Sequence, residues 1–256
     1  MGTKKGNEEA LERQGTTALA RPSFIKEGDV RGTENIGTAD IKPPALRIAQ
    51  GTSPEIKRAE PQKYIEGLRE GEFFNSLTRE IYGEGPIDLV FVNQLGHRNV
   101  EFDPNDKSVV LDFNVPDGDP RTQFSEAVVD GQKKRVKPKA TLFYDYLVYV
   151  VHAERPAELM TMSLKSTQLK KARDLNTILS GSKLPAFAHL FRATSVPEKR
   201  GSHNFYGWLI QPAGYVTEEL YNQASETFDN LKGVQIGVET ADDDGEDVPQ
   251  GQRPPF

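Results

Sequence analysis

The chain has 256 residues, of which 36% are hydrophobic and 27% charged, with no cysteine and a formal net charge of −6. Without cysteine there are no disulfides or thiolate metal sites, which fits a reducing compartment. The apolar runs are of strand length, far short of the roughly 20 residues of a membrane helix, and the polar Met1–Ala10 lacks the apolar stretch of a signal peptide, so the expectation is a cytoplasmic protein with no membrane partner.

Residues 1–42 mix charges with Gly, Thr and Pro without a sustained period and predict a flexible N-terminal arm, closed by Pro43 and Pro44. Leu46, Ile48 and Ala49 begin an alternating segment. After Phe73 and Phe74 comes a turn-rich stretch, then IDLVFV (Ile87–Val92), an apolar β-branched run that predicts a buried strand. Asp103–Lys139 is less regular. Val109–Val115 reads as a strand within it, and PDGDPR and DGQKKRVKPK read as turn and loop chemistry. TLFYDYLVYVV (Thr141–Val151) is the strongest strand pattern in the chain, followed after Arg155-Pro156 by the strand LMTMSL (Leu159–Leu164).

At Ser166 the period changes. Leu169, Ala172, Leu175 and Leu179 recur at helical spacing, with Ser166 as N-cap and Gly181 as stop. Strands at Phe187–Ser195 and Asn204–Gln211 follow, joined by PEKRGSH. A last helix after Thr217 places Leu220, Ala224, Phe228 and Leu231 on one face. Beyond Gly237 the chain turns acidic and Gly/Pro-rich. The order of strand, strand, strand, helix, strand, strand and closing helix is that of an OB-type fold. The predicted class is therefore mainly β with helices: an OB-fold-like five-stranded Greek-key barrel over 43–236, with an insertion at 103–140, a closing C-terminal helix and disordered termini at 1–42 and 237–256.

The overall negative charge hides a polar distribution. From Lys133 to Arg173 there are ten Lys/Arg against three acids, whereas Glu239–Asp247 holds six acids and no base. Lys133, Lys134, Arg135, Lys137 and Lys139 cluster directly before the aromatic strand. Lys170, Lys171 and Arg173 lie on the helix, and Arg192, Lys199 and Arg200 flank the last two strands. Tyr144, Tyr146, Tyr206 and Trp208 are the candidate flat rings. Cations beside stacking rings are what a groove tracking single-stranded DNA requires, so these residues are the expected DNA contacts. Each ring alone is also compatible with a core position, and the helix lysines with a solvated face.

The C-terminal ADDDGEDVPQGQRPPF joins an acidic run to a terminal ring. It resembles the tails of bacterial single-stranded-DNA-binding proteins and of the podophage-type replicative ones, at Asp242, Asp243, Asp244, Glu246, Asp247, Pro255 and Phe256. The resemblance implies an OB fold, single-stranded DNA as ligand, and recruitment of replication and recombination proteins by the tail, which would also compete with DNA for the basic groove. Gln250-Gly251-Gln252-Arg253 separates the acids from the final ring, a departure from those tails. The segments 43–55 (PPALRIAQGTSPE) and 71–85 (GEFFNSLTREIYGEG) resemble a type recurrent in tailed-phage proteins. His97, His152, His189 and His203 are dispersed, no phosphate-loop or nucleophile-elbow motif is present, and Asp117, Asp119 and Asp130 lie in turns. Neither an enzyme, a cofactor nor a metal is expected. Two rivals stay open: a virion or other structural phage protein, and an RNA-binding or strand-annealing protein. A homo-oligomer is compatible with all three.

Overall fold

The computed structural model describes residues 43–106, 109–129, 132–153, 155–201, 203–234 and 236–238. The N-terminal arm and the acidic tail expected from the sequence thus lie outside the described residues. Three short strands come first: β1 (Leu46–Ile48), β2 (Phe73–Asn75) and β3 (Ile81–Gly83), forming one antiparallel sheet in that order. β4 (Ile87–Phe102) runs sixteen residues, well past the predicted Val92. Two register shifts, between Phe91 and Asn93 and between Gln94 and Gly96, bend it, and Gly96 takes a positive φ of 103° there.

The insertion supplies β5 (Val110–Val115), β6 (Ser125–Val129) and β7 (Gln132–Val136). β8 (Ala140–Val151) and β9 (Glu158–Lys165) lead into α1 (Leu169–Gly181); β10 (His189–Arg200), β11 (His203–Tyr215) and α2 (Glu218–Leu231) complete the described fold. Much of the predicted linker PEKRGSH is strand, because β10 and β11 pair without interruption from Phe191 out to Arg200 and His203. Ser166 does not cap α1. It sits at a positive φ of 49° and opens a short 3-10 turn, so the helix begins at Leu169. Thr217 does cap α2, accepting from the Leu220 N–H.

The main sheet has six strands in the order β11-β10-β4-β8-β9, with β5 paired to the far end of β4. Among the described residues no ladder joins the edge strands β9 and β11, so the expected closed barrel is an open, mainly antiparallel sheet. Its seam is bridged instead by chain from the N-terminal sheet. The Thr161 N–H donates to the Pro44 carbonyl at 2.8 Å, and Ala45 forms a parallel bridge to Thr161. The Gln50 side chain accepts from the Tyr206 N–H at 2.8 Å and donates to the Tyr206 carbonyl at 2.9 Å. One amide thus does for Tyr206 what a neighbouring strand would do. Gln168 Oε1 accepts from the Trp208 N–H at 3.2 Å. Without these partners the edge would leave backbone groups unpaired in a half-buried cleft.

Alternation along each strand sends side chains to two covered faces. Leu89 and Phe91, Tyr146, Val148 and Val150, and Met160, Met162 and Leu164 form one core with Phe73, Trp208 and the α1 residues Ala172 and Leu175. Val90, Val92, Leu147 and Tyr149 form the other, beneath Phe187 and the α2 residues Leu220, Ala224, Phe228 and Leu231. No helix among the described residues is long and apolar enough to cross a membrane.

Candidate nucleic-acid interface

The expected stacking rings are largely core. Trp208 is 6% exposed, with its ring centroid 4.8 Å from that of Phe73 in β2. Tyr146 is fully buried; its hydroxyl donates to Asn176 Oδ1 at 2.9 Å, and burial pushes the phenol well above its ordinary value. Both assignments as free platforms are therefore corrected. Trp208 faces β2, and β8 is covered on both sides, so aromatics on alternate faces mark a doubly buried strand rather than an exposed one. Tyr206 is half-buried over Gly71, where an added Cβ would lie 2.6 Å from the ring. Tyr144 is half-buried too, packed against the core that holds Phe73, Tyr146 and Trp208, with the His97 ring centroid 6.0 Å away.

Two of the expected cations are held by carboxylates, and others are exposed. Arg192 grips Asp88 through Nε and a terminal nitrogen at 2.8 and 3.0 Å, and Lys171 is ion-paired with Glu198. Lys170 and Arg173 are exposed on α1, and Lys199 and Arg200 are exposed at the end of the β10–β11 hairpin. The basic cluster differs from its predicted form. Lys133, Lys134 and Arg135 are on strand β7, and only Lys137 and Lys139 lie in the link to β8. In the β6–β7 ladder Arg135 faces Glu126 and Lys133 faces Val128. Lys133 reaches Glu126 at 3.4 Å, but the two side chains are 78% and 69% exposed, so the pair contributes little. Arg135 lays its guanidinium 3.7 Å from the centroid of Phe124, a contact that sequence reading did not anticipate.

A second feature escaped the sequence because it depends on register. Arg98, Phe143 and Lys165 are direct neighbours across β4, β8 and β9. The Arg98 guanidinium lies 4.6 Å from the Phe113 ring and 4.7 Å from the Phe143 ring, with Nε donating to buried Asp145 at 2.6 Å. Ser163 donates to the other oxygen of Asp145, and the Lys165 ammonium is 5.3 Å from the Phe143 ring. Next to this row, at the β9–β11 seam, a cleft of about 80 Å³ is lined by Arg47, Gln50, Lys165, Gln168, Phe205 and Tyr206, among others. Its walls combine cations, amides and rings, although Arg47 already holds Glu55 at 2.9 Å.

Asp112, Asp117 and Asp119 of the insertion, with Glu101 of β4, are engaged in holding it. Asp117 accepts from His97 at 2.8 Å and from Asn99 at 2.9 Å, and those bonds hold its carboxyl below the ordinary range. Arg121 draws in Asp119, Glu101 and Asp112 at 2.8–3.0 Å. Asp130 lies outside the described residues, as do Asp242, Asp243, Asp244, Glu246, Asp247, Pro255 and Phe256 of the expected partner-binding tail. No curated protein and no solved structure matches the chain. Residues 13–236, however, match the sequence profile of the Pam3 phage gp34-like proteins. That match spans most of the chain and accords with the phage character read from residues 43–55 and 71–85, so the chain belongs to the Pam3 phage gp34-like protein family.

Proposed function

We propose that the β4–β8–β9–α1–β10–β11 unit is an OB-type module, opened at its seam, that binds single-stranded DNA with little sequence preference in phage DNA replication or recombination. One observation carries this reading. In OB modules the connections between the first and second strands and between the fourth and fifth flank the oligonucleotide-binding face. Here the first of those connections holds Lys133, Lys134, Arg135, Lys137 and Lys139, and Lys199 and Arg200, the last two residues of β10, stand where the second begins. The strand order β11-β10-β4-β8-β9 is the OB order with only the contact of third to fifth strand missing. The acidic residues of 239–247 would recruit partner proteins and compete with DNA for these cations. A second reading, a structural phage protein acting through protein contacts, is favoured by Leu111 and Phe113, which are 55% and 47% exposed on strand β5.

The test is fluorescence anisotropy with labelled oligothymidine at several salt concentrations, against duplex DNA and RNA of equal length. Trp208 is too deeply placed to serve as the reporter. Salt-sensitive binding that favours oligothymidine is expected. Replacing Lys133, Lys134, Lys137 and Lys139 by alanine is expected to lower the slope of log affinity against log salt by up to about 3. No binding at low salt would reject the proposal and leave the structural reading.

A further inference from the structure

β6 and β7 pair with each other and, among the described strands, with no other. A lone two-stranded hairpin is marginal in water, and this one keeps large apolar groups in the open: Phe124 is 55% exposed, Val128 70% and Val136 40%. Strand alternation places Phe124, Glu126 and Val128 on one face, and register adds Lys133 and Arg135 to it. That face therefore carries an exposed ring, a guanidinium 3.7 Å from the ring centroid, and a lysine, with one acid against two bases. Lys134, Lys137 and Lys139 bring further positive charge to the same hairpin and its link. A surface that is both basic and flat-ringed complements a ligand that is anionic and flat. Another apolar protein surface would leave the cations without partners.

We propose that the pair Phe124 and Arg135 is a base-stacking platform, and that this face of the β6–β7 hairpin binds single-stranded DNA with a base against the exposed ring and phosphates on Lys133, Lys137 and Lys139. This rests on the DNA-binding function proposed above and assigns the stacking role to a residue outside the six-stranded sheet. The guanidinium holds one face of the phenyl ring, so the ring is pre-set for stacking on its other face, and the planar guanidinium is itself a stacking surface.

The experiment compares oligothymidine with an abasic oligonucleotide of equal length, which keeps the phosphates and lacks the bases. In the full chain, Phe124→Ala is expected to weaken oligothymidine binding at least about fivefold and to leave the abasic affinity unchanged. Phe124→Trp is expected to restore the preference. Photocrosslinking of wild-type protein to 5-iododeoxyuridine in the oligonucleotide is expected to mark the peptide containing Phe124. Wild-type binding to both oligonucleotides with a preference insensitive to Phe124, or crosslinks confined to the seam, would overturn the platform and spare the function. Binding to neither would reject both. A change from dimer to monomer in Phe124→Ala, without loss of base preference, would overturn the platform in favour of a contact between two copies.

Discussion

The hairpins β10–β11 and β6–β7 both bring basic residues close to aromatic rings, yet the rings and charges meet opposite fates. In β10–β11 two of the rings go inward: Phe191 is 1% exposed in the core, and Trp208 packs at a tilt against Phe73. Two of the charges alongside are matched, Arg192 by Asp88 and Glu198 by Lys171. In β6–β7 the ring stays in solvent and its nearest cation lies on its face. The difference is in what lies opposite. Residues 44–75 supply β2 and the Gln50 amide to β11, whereas no described strand pairs with the β6–β7 hairpin. Available charge and available ring surface are therefore properties of packing, not of composition.

The sharpest way to break this contrast is to truncate one ring on each side of it. Trp208→Ala is expected to cost about 3–5 kcal/mol of stability, since it opens a cavity against Phe73. Phe124→Ala is expected to stay within about 0.5 kcal/mol, as for an exposed position. Urea titration of both variants checks this. Equal losses would mean that the β6–β7 hairpin is buried in solution.

Asp145→Ala tests the inner charge in the same titration. It removes the carboxylate to which the buried Arg98 Nε donates, and a loss of about 3 kcal/mol is expected. The aromatic rings flanking the guanidinium keep this at the lower end for a broken buried pair.

The smallest effect is a pH dependence outside both hairpins. His152 is held below the ordinary histidine value of 6.5, by burial first and then by Arg155; Glu158 and Glu80, which face it, pull the other way. The unfolded chain therefore binds a proton that the folded chain refuses. Stability is complete above about pH 6.5 and declines as the pH falls through that value. Melting temperatures across this range should show the decline in the wild type and a flatter profile in His152→Gln.

How far the sequence could be read follows from the same physics. The strand and helix order, the insertion between β4 and β8 and the apolar faces of both helices were legible, because period and composition are local signals. The length of β4 was not, since its second half, Asn93–Phe102, carries polar residues such as Gln94 and His97 that are tolerated where the strand bends outward. Ser166 looked like a cap, yet its backbone is turned by the junction of β9 with the 3-10 segment. Among the site residues, Lys133 and Arg135 were found from charge alone. Phe124 was overlooked because its value comes from Arg135, eleven residues on and across a strand pair. Trp208 was misread because the β2 ring against it is more than a hundred residues away.

Gln50 and its partner Tyr206 are 156 residues apart, and that distance sets an order of assembly. The strand-like clasp is among the first segments of the described fold to leave the ribosome, but its counterpart is among the last. Contacts of such long range close slowly. Until β11 is made and folded, β10 waits with a bare edge, the kind of surface on which nascent chains pair with each other. The clasp thus acts as a completion signal for the sheet: it can engage only a chain synthesised past residue 206, and from that moment the seam no longer offers two unpaired edges.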